Sequence, residues 1–447
     1  MIKLKKFVAV ALSTVLTTAA LTGCTSSKDD SSASTEGEGS VYYLNFKPES
    51  EEQWLKVAED YEKETGVKVK VVTAASGTYE QTLKSEVAKK DAPTLFQING
   101  PVGYQSWKEY CADLKDTKLY SSLLNQNVAI KDGEGVYGIP YVQEGYGIIY
   151  NQSIMDKYFA LDGAKAKSVD EINSFDKLKE VAEDMQAKKA QLGIDGVFAS
   201  TSLTPGEDWR WQTHLANLPV YYEYKDADVS DLDKLEFNYS SNFKNIFDLY
   251  VNNSTCEPTL LGSKTVSDSM AEFALGKAAM VQNGNWGWGQ IAEVEGNTVK
   301  EDDVKFMPIY TGVEGEEKQG LCIGTENFFS INDEASEADQ EATIDFVEWL
   351  FTSETGKDHV TNELGFIAPF DTFNDDEKPA DPLSKEVISW MEKGDLETVK
   401  WTFQAFPSQN FKDTFAGALL EYVQGTQDWD YVVTTVKDSW KAEKANN

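Results

Sequence analysis

The chain has 447 residues, with 41 basic side chains against 75 acidic ones and a formal net charge of −34. A field of that sign repels phosphate backbones and anionic lipid surfaces, which excludes nucleic acid as a natural partner and would require a local basic pocket for any anionic solute. Its length is enough for one large bilobal unit or two domains with substantial cores.

The first residues are Lys3, Lys5 and Lys6, then an apolar run from Phe7 to Leu21 that leads into Leu21-Thr22-Gly23-Cys24. Basic, apolar and small residues in that order predict a secretory signal cut before Cys24. The apolar run is shorter than the roughly 20 residues that span a bilayer core. Leu-Thr-Gly-Cys resembles the lipobox of bacterial lipoproteins, which implies a thioether-linked lipid on Cys24, loss of residues 1–23 and a tether to the outer face of the membrane. With the three signal lysines gone, 38 basic residues face 75 acidic ones, a net charge of −37. The stretch TSSKDDSSASTEGEGS from Thr25 to Ser40 has no large apolar side chain to bury. Residues 24–40 are therefore expected to be the lipidated cysteine and a solvated linker, with the folded part beginning near Val41.

Val41 to Phe46 is a short apolar run that predicts a first strand, and Glu49–Thr65 places Trp54, Leu55, Ala58 and Tyr61 on one helical face before Gly66. Val67, Val69 and Val71 alternate with lysines as a second strand; Tyr79–Lys90 is helical in pattern, and Thr94–Ile98 is a third strand. This β-α-β-α-β order predicts a parallel sheet wrapped by helices. Further strands are expected at Val136–Pro140, Gly147–Tyr150 and Asn327–Ile331. Helices are expected at Ser174–Ala190, from Ala335 to Phe351, and at Phe411–Val423 and Tyr431–Ala445. No fixed-period repeat is present, which argues against solenoids and propellers.

Several motifs are empty on inspection. Gly133-Glu134-Gly135-Val136-Tyr137-Gly138 matches GxGxxG, but it follows polar Lys131-Asp132 and runs into Ile139-Pro140, so it is a turn into a strand rather than a dinucleotide site. Cys111, Cys256 and Cys322 have no CxxC spacing, leaving either one disulfide and a free thiol or three reduced cysteines. His214 and His359, the only histidines, have no recognisable nucleophile nearby in sequence and are read as core or surface residues. Asp226, Asp228, Asp231 and Asp233 lack the glycine and terminal glutamate of a calcium loop and are read as a solvated acidic loop. No metal and no cofactor is expected.

The informative signal is aromatic: 11 Trp, 20 Tyr and 22 Phe, clustered at Trp209-Arg210-Trp211, Tyr221-Tyr222 and Trp286-Gly287-Trp288. Flat ring faces suit the C–H faces of pyranose rings, and neighbouring amides, carboxylates and arginine satisfy hydroxyls. Met280-Val281-Gln282 followed by Gly284-Asn285-Trp286-Gly287-Trp288 resembles a segment of the extracellular sugar-binding proteins of ABC importers, the group that includes the maltose receptors. Gly138–Asn151 and Gly324–Ile331 resemble the interlobe crossovers of that family. FVEWLFTSETG at Phe346–Gly356 resembles the helix that follows, and Gly365–Pro369 the loop after it.

The resemblance implies an α/β fold of two lobes joined by hinge strands, with a ligand cleft between them: lobe one from 41–143 plus 325–370, and lobe two from 144–324 plus 371–447. It further implies a monomeric, non-enzymatic receptor that hands an oligosaccharide to membrane permease subunits. A surface-anchored glycoside hydrolase and a receptor for a non-sugar solute are the alternatives. By position in the family, Lys47, Glu49, Tyr79 and Asn99 follow strands of the first lobe, Glu144 and Tyr146 lie at the hinge, and Glu326 and Asn327 lie where the chain returns. Trp286 is the expected stacking residue, with Trp288 structural. Trp209 and Arg210 are expected contacts of the second lobe, and Trp401 or Phe403 another platform.

Overall fold

The computed structural model describes residues 39–445; Cys24 and most of the expected linker lie outside them. Among the described residues twelve strands form in chain order: β1 (Val41–Asn45), β2 (Val69–Thr73), β3 (Leu95–Asn99), β4 (Ile130–Asp132), β5 (Gly135–Pro140), β6 (Glu144–Asn151), β7 (Gly196–Phe198), β8 (Ala278–Gly284), β9 (Val304–Met307), β10 (Gln319–Gly324), β11 (Asn327–Ile331) and β12 (Glu397–Lys400). They assemble into two sheets of six. One has the order β2-β1-β3-β11-β5-β4, and the other runs β12-β10-β6-β8-β7 with β9 added on β6.

In the first sheet β1 pairs parallel with β2 and β3, as the alternating β-α-β-α-β pattern predicts. The late strand β11 inserts antiparallel between β3 and β5, so Asn327 stands beside Asn99. The GxGxxG stretch is a hairpin turn: Gly133, at φ 58°, links β4 to β5. The helix Glu51–Thr65 lays Trp54, Val57, Ala58 and Tyr61 on the sheet, and Gly66 at φ 79° ends it in the left-handed conformation. Leu55, expected on that face, is half exposed. It lies about 100° around the helix from Trp54, and Val57 fills the i+3 position that completes the stripe. The Trp54 indole meets Tyr43 edge-on, ring centroids 4.7 Å apart.

The chain crosses between sheets where strands end. Tyr141, Val142 and Gln143 carry it from β5 to β6, and Thr325-Glu326 return it from β10 to β11. These segments lie side by side. Glu144 pairs with Gly324, Thr325 Oγ1 donates to the Val142 carbonyl at 2.8 Å, and the Gln143 amide donates to the Ile367 carbonyl at 2.8 Å. The backbone is thus satisfied through the crossing. The result is a two-lobed α/β architecture with strand ends facing a common cleft. Cys111, Cys256 and Cys322 are free thiols, and no helix among the described residues is long and apolar enough to cross a membrane.

Replacing Trp54 by alanine removes an indole with no exposed surface and is expected to cost about 3–5 kcal/mol. Leu55→Ala next to it should stay within about 0.5 kcal/mol of the parent. Urea unfolding of the two variants checks the assignment of the buried stripe.

Candidate functional site

On the second-sheet side, strands end in glycine and an indole lies over each end. A Cβ on Gly284, the last residue of β8, would stand 2.1 Å from the Trp286 ring. A Cβ on Gly324, the last residue of β10, would stand 2.6 Å from Trp401 Cγ. Only glycine leaves room for either ring to fold back onto its strand. The two indoles meet edge to face at 6.4 Å and 84°, and Trp209 lies 6.3 Å from Trp286. Tyr146, near the start of β6, is 5.6 Å from Trp401 and 6.4 Å from Trp286. Trp288 packs instead against the apolar core behind β8.

The His214 ring stacks on Tyr146 at 4.5 Å and 18°, while the Tyr146 hydroxyl donates to the His214 carbonyl at 2.9 Å. Burial, then the charges of Arg210, Lys412 and Lys47, hold the imidazole well below its ordinary pKa, so it is neutral. His214 was read from sequence as an isolated core or surface residue; it is buried, but inside the aromatic cluster. The spacing that could have found it is Arg210 to His214, i to i+4 within Trp209-Arg210-Trp211-Gln212-Thr213-His214.

That segment, Arg210–Leu215, is a π-helix, a form frequent at functional sites because its widened turn re-aims side chains. Arg210 has 0% exposed surface. Its guanidinium stacks over Trp209 at 4.4 Å, and none of its three nitrogens has a hydrogen-bond partner among the described residues. Burial pulls its pKa down to about 9, against the opposing charges of Glu207 and Glu49. A donor-only group that lacks an acceptor is costly to bury. The Trp401 Nε1, also buried, likewise has no acceptor.

From the first sheet, Lys47 follows β1 and donates to Glu144 Oε1 at 2.7 Å, with Glu49 Oε1 at 3.7 Å and the Trp286 ring centroid at 5.7 Å. Burial alone would lower the Lys47 pKa; Glu144 and Glu49 outweigh it and keep the ammonium charged. Burial pushes the Glu49 carboxyl up, opposed by Lys47. It does the same to Glu326, opposed by Lys412 and Lys47. Asn99 and Asn327, cross-strand partners, each present a buried Oδ1 with no donor among the described residues.

The expected residues thus largely converge. Lys47, Glu49, Glu144, Tyr146, Trp209, Arg210, Trp286 and Trp401 form one cluster, with Asn99 and Asn327 on the adjoining strand ends and Glu326 on the crossing between β10 and β11. Tyr79 is spent on packing: its hydroxyl accepts from the Gln97 amide at 2.7 Å and its ring meets Phe46. Sequence reasoning also missed Lys412, a buried lysine from the helix Gln409–Val423. Ring faces bordered by unpaired donors and acceptors suit a flat-faced, hydroxyl-rich solute. Among the described residues no group of three or more His, Cys, Asp or Glu could hold a metal ion.

Among curated proteins, the melibiose/raffinose/stachyose-binding protein MelE of Bacillus subtilis (strain 168) is 33% identical over 141 residues, 31% of this chain; the match spans only 32% of that relative. Solved structures share the fold across nearly their whole length. A chitin oligosaccharide binding protein superposes with a TM-score of 0.71 at 18% identity, covering 91% of this chain and 99% of the other. RafE in complex with raffinose gives 0.69 at 20%, covering 91% and 99%. A sugar transporter of Bacillus licheniformis in complex with stachyose gives 0.66 at 18%, covering 90% and 100%. Residues 56–386 match the family described as bacterial extracellular solute-binding protein, and the chain belongs to that family.

Proposed function

We propose that this protein is the receptor of an ABC importer, capturing an oligosaccharide between lobe one (41–143 plus 325–370) and lobe two (144–324 plus 371–447) and delivering it to a membrane permease. The observation that carries this reading is the fully buried Arg210, without an acceptor among the described residues and stacked on Trp209, which in turn neighbours Trp286 and, through it, Trp401. Sugar hydroxyls supply acceptors for the guanidinium and donors for Asn99 and Asn327, and pyranose faces stack on the indoles. The ligands named for the relatives, melibiose, raffinose, stachyose and chitin oligosaccharides, support the class. Lys47, Glu49, Glu144, Tyr146 and Glu326 line the ligand's path at the hinge, with Tyr79 supporting the loop behind it. No covalent chemistry is assigned to the site.

The mature chain is held to the membrane by lipid on Cys24. That tether confines the receptor near its transporter and raises its local concentration there.

A panel of these oligosaccharides read by thermal shift tests the function, since a ligand bound only by the folded state raises the melting temperature. At least one is expected to do so without being cleaved; release of smaller sugars would mean a hydrolase, and a flat panel would sink the reading. With the sugar that binds, Trp286→Ala should lose about 1 kcal/mol or more in calorimetry. Arg210→Met should lose binding while its ligand-free form is at least as stable as the parent, because an unpaired buried charge has been removed.

Stability should also depend on pH through His214. The unfolded imidazole takes a proton below about 6.5, whereas the folded one resists it, so this group's contribution is full above that pH and is lost as pH falls below it. Asp208, raised to about 6 by burial, and Glu49 and Glu326 act with the opposite sign. The stability of the parent relative to His214→Gln should therefore fall between pH 7 and pH 5, as followed by urea midpoints.

Cys24→Ala is expected to leave sugar affinity intact, to release the protein from the membrane and to lower uptake at equal expression. Unchanged uptake would reduce the tether to an address.

A further inference from the structure

The order of strands shows how the site is bounded. In the second sheet, β10, β6 and β8 meet the aromatic cluster and lie between the edge strands β12 and β7. Strand β7 runs parallel to β8, and β12 parallel to β10, so the chain leaves both edges at the seam. Past β7, Gly206 stands backbone to backbone with Gly77, in the loop after β2: a Cβ on Gly77 would lie 3.0 Å from the Gly206 carbonyl oxygen and 3.1 Å from its Cα. Past β12, Gln404 lies against Gly100, the first residue of the helix Gly100–Trp107 after β3, where a Cβ would stand 2.8 Å from Gln404 Cβ. The first-sheet side thus meets both flanks of the second sheet, and the crossing segments close the back. Between these contacts Tyr146, Arg210, His214, Lys47 and Glu144 are all buried.

We infer that the site is closed at both flanks and takes a short oligosaccharide whole, with the glycine pair Gly77 and Gly206 setting the upper limit of chain length. The inference rests on the proposed capture of an oligosaccharide between the lobes. From β2 to β11 is three inter-strand steps, about 14 Å at about 4.8 Å each, which is room for a few sugar rings and not for a polymer. A chain that outruns this span must leave past Gly77 and Gly206, where there is no side chain to swing aside. It fits only with the lobes held apart. That breaks the reach of Lys47 from the first-sheet side to Glu144 at 2.7 Å and towards the Trp286 ring centroid at 5.7 Å. Both glycines have left-handed backbones, φ 71° at Gly77 and 84° at Gly206, but their Cβ positions differ. A Cβ on Gly206 would meet nothing within 4 Å. Alanine therefore strains the two loops alike and obstructs the contact only at Gly77.

Raffinose, stachyose and verbascose, which is stachyose with one more galactosyl unit, serve as probes in calorimetry on the full mature chain. Verbascose should bind the parent at least about tenfold more weakly than the better of the other two, since it holds the protein out of its closed, binding-competent state. Gly77→Ala should weaken the better sugar roughly three- to tenfold beyond the effect of Gly206→Ala, and should narrow the gap to verbascose. The two variants should melt at similar temperatures without ligand, as equal backbone strain requires. Gly100→Cys with Gln404→Cys should cross-link within one chain on mild oxidation, where neither single cysteine does. Sugar loaded beforehand should then stay bound through gel filtration until dithiothreitol frees it. Verbascose bound as tightly as stachyose would overturn the inference, as would Gly77→Ala indistinguishable from Gly206→Ala. If none of the three sugars binds the parent, the choice of sugar has failed. The ligand-free cross-link then decides: its formation supports the closed flank and its absence overturns it.

Discussion

A chain that passes between two sheets must keep its backbone polar groups paired while it leaves one hydrogen-bonding lattice and enters another. Here it does so where strands end, with Glu144 paired to Gly324 and Gln143 bonded to Ile367. That constraint places β1, β3 and β5 of one sheet and β8, β10 and β12 of the other with their final residues at the same seam. The first residues of β6 and β11 start from it. The site follows from this placement. Asn99, Asn327, Gly284, Gly324 and Glu144 are all strand-terminal residues, and the groups at the seam project from termini whose positions the sheets hold rigid.

The seam is also where the structure departs from what stability alone would favour. An arginine with no exposed surface and no acceptor, two amide oxygens with no donor and an indole nitrogen with no acceptor lie in one region. Two carboxylates away from the seam are fully engaged: Glu272 accepts from Ser200, Thr255 and Lys264, and Glu316 accepts from the amides of Phe175, Thr311 and Gly312. Single buried atoms elsewhere, such as Trp54 Nε1 and Tyr250 Oη, also lack a partner among the described residues, while the unpaired groups at the seam sit beside stacked rings. This is the pattern expected where a site gives up stability for binding.

Much of the first lobe was legible because its signals are local. The apolar run Val41–Phe46 and the Trp54 to Tyr61 stripe each lie within a few residues, and each became an element close to its expected bounds. The error at Leu55 arose within that stripe, where a neighbour in sequence is a quarter-turn away in space. Less was legible where meaning depends on distant partners. Strands β7, β9 and β12 are short, and the pairing of β9, β10 and β12 joins residues far apart, as in Ile149 with Phe306 or Ile323 with Lys400. His214 and Lys412 are unremarkable in sequence. One gains its place by stacking on Tyr146, and the other by burial on the helix Gln409–Val423.

The position of β11 has a consequence for how the protein is made. It lies between β3 and β5, so the first sheet has an open gap from the time residue 140 is synthesised until residue 331 follows. At about 5–20 residues per second, that interval is on the order of 10–40 s. During it β3 presents an unpaired edge, and the second sheet still lacks β12, which comes later still. Neither lobe can finish before the C-terminal third of the chain emerges, so the topology itself delays folding. A polypeptide that stays unfinished this long remains thin enough to be threaded through a pore, and it must be shielded from its own exposed edges until the last strands arrive.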